Sequence, residues 1–181
     1  MGRDTTANVN GAPDRCDICG FVYDVGISAD VAPQIVSNAN LLSAIVGAEN
    51  PTATRRPDAD TWSILEYGCH VRDVLLVQRE RVLLALRVDE PQVVAMGRDE
   101  RVEADGYNDQ HPTDVARQIG DAALMFSGVL SRLNEQSWQR TVIYGYPSPA
   151  SRSLAWVAIH TLHEVIHHLG DMQRQIQASA L

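Results

Sequence analysis

Four of the chain's six histidines fall within nine consecutive positions near the C-terminus: His160, His163, His167 and His168, with Glu164 among them. Imidazole and carboxylate are side chains that hold a divalent cation, and at i, i+4 on a helix they emerge one above the other. Glu164 and His168 form one such pair. His163 and His167 form another, on the opposite flank of the same apolar stripe, so the spacing alone does not choose between them. A third ligand from a facing helix would complete a three-point site and leave a position open for water or substrate. His70 is the only histidine on another expected helix, with Glu66 one turn before it and Asp73 one turn after. Either carboxylate would orient the far ring nitrogen. The alternative is a solvated face on which His160, Glu164 and His168 stack as weak local pairs.

Two further patterns compete for the same chemistry. His163-Glu164-Val165-Ile166-His167 spells HExxH, the motif in which two histidines bind zinc and the glutamate is the base of a metalloprotease. Gly170 stands where the longer HExxHxxGxxH pattern has its glycine, but Gln173 takes the third-ligand position, which leaves a metalloprotease as a minor alternative. Cys16 and Cys19, followed by Gly20, resemble one half of a zinc knuckle, and the chain holds no second CxxC. They read as two reduced thiols in a turn, dispensable for a metal carried by the helices. Cys69 would join them only if the fold brought it close. Three cysteines do not make a disulfide framework.

The elements that must position these residues read as helices. A helix over 153–178 has Ser151 and Ser153 as N-cap candidates and an apolar stripe of Leu154, Ala158, Leu162, Val165, Leu169, Met172 and Ile176. A second, over 61–86, carries His70 and buries Ile64, Leu65, Val71, Val74, Leu75, Leu83 and Leu86. A third, over 29–48, offers Ile35, Leu41, Leu42, Ile45 and Val46. The fourth spans 112–133, with Pro112 in its first turn. Residues 49–60 read as a loop and 88–111 as polar and irregular. The long connection 134–152 holds Trp138, Tyr144 and Tyr146, which would line the mouth of a site or pack under a loop. Residues 1–14 read as a mobile arm. No stretch alternates cleanly enough to argue for a sheet. The expectation is an all-α four-helix bundle over 28–181, preceded by an irregular N-terminal arm with the CxxC over 1–27.

Composition limits the partners. The 181 residues suit one domain, and 45% apolar with 21% charged residues is the balance of a soluble globular protein. A net charge of −8 argues against nucleic acid, whose phosphates require clustered cations. No segment has the length and apolarity of a membrane span, and the N-terminus lacks a signal-peptide pattern, so the expected location is cytoplasmic, with no membrane partner. All fifteen basic residues are arginine, which reads as the codon bias of a GC-rich genome. A homodimer is compatible with such a bundle.

The motifs together carry a resemblance. Trp62-Ser63, Glu66, His70 and Asp73 on one helix, with His168-Leu169-Gly170-Asp171 on the last, resemble the DinB/YfiT-like superfamily. Glu164, four residues before His168, is similar to the mycothiol-dependent maleylpyruvate isomerase branch, and His160 matches a histidine common there. The resemblance implies a four-helix bundle with a divalent metal held by His70, Glu164 and His168. Glu66, Asp73, His160 and Asp171 stand within a turn of those ligands as supporting groups. Two imidazoles and a carboxylate suit zinc and tolerate nickel, manganese or iron. The implied activity is transfer of a low-molecular-weight thiol, mycothiol first, to a small electrophilic substrate. A metal-dependent hydrolase and a non-catalytic metal- or ligand-binding bundle are the competing readings.

Overall fold

The computed structural model describes residues 15–145 and 148–179. The expectation of mobility for residues 1–14 lies outside them. Six α-helices and one two-stranded sheet are present among the described residues. Four helices are long: α1 (Val31–Gly47), α2 (Ile64–Arg87), α4 (Pro112–Leu130) and α6 (Leu154–Ser179). α1 and α2 each pack on both α4 and α6, so α1 lies diagonally opposite α2 and α4 diagonally opposite α6, while α2 and α4 are side by side. The two helices that carry the histidines, α2 and α6, are therefore direct neighbours.

The apolar stripes explain that assembly. Ile35 and Leu42 of α1, Leu65, Leu75 and Val82 of α2, Val115, Ile119 and Phe126 of α4, and Leu154, Ile159, Leu162 and Val165 of α6 are all buried. Each such side chain contributes roughly 1.5–3 kcal/mol relative to exposure. The stripe of the last helix is buried through Met172, and Ile176 in the final turns is exposed. Leu86, expected in the core, also faces solvent, as does Leu41 of α1. Gly68 of α2 lets the chain pass close to α1, since a Cβ there would stand 2.8 Å from Val46 Cγ2.

Helix starts follow capping chemistry. At α2 the Ser63 hydroxyl accepts from the Glu66 amide at 3.1 Å, while the Glu66 carboxylate accepts from the Ser63 amide at 2.7 Å. Pro112 opens α4, and the Ser153 hydroxyl accepts from the Trp156 amide at 3.1 Å near the start of α6.

The connections hold more structure than the sequence suggests. The segment 88–111 contains α3 (Arg98–Ala104) and a 3-10 turn over Tyr107–Asp109. The connection 134–152 contains α5 (Glu135–Trp138) and an antiparallel hairpin of β1 (Thr141–Tyr144) and β2 (Ala150–Ser153), with Thr141 opposite Ser153. Four-residue strands are too short to show a period, and this pair is held by cross-strand partners and by the Val93 amide donating to the Ile143 carbonyl at 3.1 Å. Before α1, residues 25–30 form a 3-10 helix against α6.

Candidate metal centre

His70 projects from α2 toward the flank of α6 that carries Glu164 and His168. The Nε2 atoms of His70 and His168 each lie 3.6 Å from the same carboxylate oxygen, Oε2 of Glu164. That separation is long for a hydrogen bond. It matches the distance of about 3.4 Å between two ligand atoms that each sit ~2.1 Å from a shared tetrahedral cation. The potential ligand atoms of the trio all lie within 4.8 Å of one another. The donor set of two imidazole nitrogens and a carboxylate oxygen thus fits a divalent metal with room for a further ligand.

The site is walled rather than sealed. His70 is buried, Glu164 and His168 are half-buried, and the two histidine rings meet edge to face at 4.9 Å. The Trp62 ring packs on His70 at 5.0 Å and the Tyr67 ring on His168 at 5.1 Å. These are the aromatic residues at the site. Tyr144 is buried instead, with its hydroxyl accepting from Gln78 and Arg81, and Trp138 packs against the core. Tyr146 lies outside the described residues. Tyr67 and Asp171 form one wall of an open cleft of about 580 Å³, which is also lined by Arg55, Arg56 and Arg174.

The charges suit ligation. Burial opposes the Glu164 charge, but the His163, His168 and His70 rings around it hold its carboxyl well below the usual carboxylate range. Burial pushes His70 below the ordinary imidazole value, which favours the neutral ring that a cation needs. Burial also opposes the charge on His168, yet the Asp171 and Glu164 carboxylates raise its value.

The four supporting residues divide. Asp171 Oδ2 lies 2.8 Å from His168 Nδ1, which leaves Nε2 for the site. His160 Nε2 faces Glu164 Oε1 at 4.0 Å, and its Nδ1 is 3.1 Å from the Tyr23 hydroxyl. Glu66 and Asp73 do not reach His70. The Glu66 carboxylate is taken by Arg56 at 2.7 Å and by the Ser63 amide. Asp73 accepts from Arg72 at 2.8 Å, Arg101 at 2.9 Å and the Tyr107 hydroxyl at 2.9 Å. Among the described residues His70 Nδ1 is buried without a hydrogen-bond partner, so neither expected carboxylate orients it. Helical spacing placed both acids near the histidine, but Arg56 and Ser63 claim the one and Arg72, Arg101 and Tyr107 the other.

Asp171→Ala is expected to weaken metal binding by ~10–100-fold, read by competition with a chromophoric chelator. An unchanged affinity would reduce Asp171 to a partner of Arg174, with which it also pairs.

The HExxH residues divide between two clusters. Glu164 Oε2 faces His70 and His168, and His163 Nδ1 lies 3.5 Å from the other oxygen, Oε1, while His163 and His167 also stand beside the N-terminal CxxC. His167 Nδ1 is 3.7 Å from Cys16 Sγ, and candidate ligand atoms of Cys16, Cys19, His163 and His167 lie within 4.8 Å of one another. The CxxC is therefore not isolated in space. Cys69 stays apart, buried beside the Tyr107 carbonyl and Gln110.

The comparisons with known proteins agree on the architecture. The model of the DinB superfamily matches residues 36–172, a span that includes all three candidate ligands. Among solved structures the fold is similar to YfiT from Bacillus subtilis, described as a probable metal-dependent hydrolase with an unusual four-helix bundle topology. That likeness has a TM-score of 0.68 at 13% identity and covers 84% of this chain and 87% of the other. No curated protein matches the sequence.

Proposed function

The chain belongs to the DinB superfamily, and on that premise we propose that it is a metal-dependent transferase that joins a low-molecular-weight thiol to a small electrophile. The observation that carries this reading is the convergence of His70 Nε2 and His168 Nε2 on one Glu164 oxygen, each at 3.6 Å. Three ligands leave a coordination position open, as catalytic sites do. A divalent cation bound there, zinc being the best match to the donors, lowers the pKa of a bound thiol or water and supplies a nucleophile at neutral pH.

The protein's own residues do the positioning. Asp171 holds His168 by its Nδ1, and Glu164 takes its place between two rings from different helices. Trp62 and Tyr67 cover the rings and limit water on that side. Arg55 and Arg174 in the adjoining cleft present cations suited to the carboxylate or other anionic group of a thiol or its acceptor. Mycothiol is the proposed thiol, because the pattern of His160, Glu164 and His168 resembles the mycothiol-dependent branch and the arginine-only basic set reads as a GC-rich genome.

A second reading, a metal-dependent hydrolase, uses the same open position with water in place of the thiol. The fold it shares with a protein described as a probable metal-dependent hydrolase favours it. Incubating zinc-loaded protein with mycothiol, bacillithiol or glutathione and a panel of electrophiles, with adducts followed by mass, separates the two. The transferase reading expects thiol adducts that the His168→Ala protein does not form. Equal adduct rates for the two proteins overturn it, and thiol-independent turnover of ester or amide substrates selects the hydrolase.

A further inference from the structure

The flank of α6 opposite Glu164 and His168 bears a second constellation. His163 and His167 stand one turn apart there, and the turn at Cys16 and Cys19 is folded against them. That turn is closed locally: the Cys16 amide donates to the Phe21 carbonyl and the Gly20 amide to the Cys16 carbonyl, both at 2.8 Å. Gly20 adopts φ +75°, which a side chain would resist, so the glycine after the second cysteine allows both thiols to face one way. Phe21 and Tyr23 then pack on the His163 ring at 5.4 and 5.2 Å and anchor the turn to the helix.

We propose that Cys16, Cys19, His163 and His167 form a second, closed zinc site that fastens the N-terminal segment to α6. The spacing is C-x2-C with H-x3-H, the Cys2His2 pattern of structural zinc. The 3.7 Å between Cys16 Sγ and His167 Nδ1 is close to the ~3.6 Å expected of a sulfur and a nitrogen on one tetrahedral zinc.

One observation besides the cluster itself points to a ligand. His163 is 7% exposed, and its Nε2 is buried without a hydrogen-bond partner among the described residues. Its Nδ1 is held by the Tyr23 hydroxyl at 2.8 Å, so Nε2 is the atom left to ligate. Histidines that ligate metal characteristically have their far nitrogen supported in this way. The far nitrogen of His167, Nε2, faces Asp171 Oδ2 at 3.7 Å, which is longer than a hydrogen bond.

The two sites share supports without sharing ligands. Asp171 stands between His167 and His168, and the Tyr23 hydroxyl between His163 and His160. Four protein ligands leave no open position, so this zinc is structural, whereas the three-ligand site is open.

The test uses the full chain purified under reducing conditions without chelator. Metal and protein are quantified together, and zinc is then exchanged for cobalt. The proposal expects two equivalents in the wild type and one in Cys16→Ser/Cys19→Ser. It also expects a sulfur-to-cobalt charge-transfer band in the wild type that is absent from the double variant. Loss of zinc from this site should expose Cys16 and Cys19 to a thiol reagent that the holo-protein resists. Cys16→Ser/Cys19→Ser retaining the wild-type metal content, or a wild type without the charge-transfer band, overturns it. His70→Ala serves as the opposite control, since it removes only the open site and should keep the band.

Discussion

His70→Ala is expected to cost the protein one full equivalent of metal while the bundle stays folded. The substitution leaves Glu164 and His168, two ligands on one helix, with nothing from α2 to close the site. His168→Ala should act in the same way, whereas His163→Ala and His167→Ala should spare this equivalent, because both group with Cys16 and Cys19 and the contact His163 makes with Glu164 is to the other oxygen, Oε1. Native mass spectrometry of each variant reads the result directly. If His163→Ala instead emptied the three-ligand site and His70→Ala did not, HExxH would be the true ligand motif.

The second large effect belongs to stability. Asp73 is buried among Arg72, Arg101 and Tyr107, and removing its carboxylate leaves a buried guanidinium without its closest anion. Breaking a buried pair from one side costs roughly 3–5 kcal/mol. Arg72 keeps Asp105, Gln110 and Gln118, and Arg101 is half in solvent, which puts Asp73→Ala near the lower end, about 3 kcal/mol. For a chain of this size that lowers Tm by roughly 6–12 °C. Burial and the Asp73 charge both push the Tyr107 hydroxyl up, so it remains a donor and adds to the loss. Metal content should not change. Thermal denaturation alongside metal analysis checks both halves, and a wild-type Tm with weakened metal binding would return Asp73 to the role of orienting His70.

Much of this was legible in the residues themselves, for a physical reason. The long helices announce themselves by period: α6 runs Leu154–Ser179 against an expected 153–178, and α2 begins at the Ser63–Glu66 capping box. The i, i+4 spacing on α6 offered Glu164 with His168 and His163 with His167 alike, and it was the resemblance of the motifs to the superfamily that pointed to the first pair together with His70. What periodicity does not carry is the identity of distant partners. Arg56 captures Glu66, and Arg101 with Tyr107 captures Asp73, from segments that read as irregular. The hairpin of β1 and β2 went unseen because its strands are four residues long and are held by each other. The CxxC looked incomplete because its nearest partner, His167, is 151 positions from Cys16. The signal was present in the H-x3-H of His163 and His167, masked by their place in an HExxH string.

The most direct test of the three-ligand metal centre is anomalous diffraction at the absorption edge of the bound metal. The account predicts a peak enclosed by His70 Nε2, His168 Nε2 and the Glu164 carboxylate, about 2.0–2.2 Å from each, with a non-protein ligand completing the shell. Crystals of metal-loaded protein with no peak among those three side chains would contradict it.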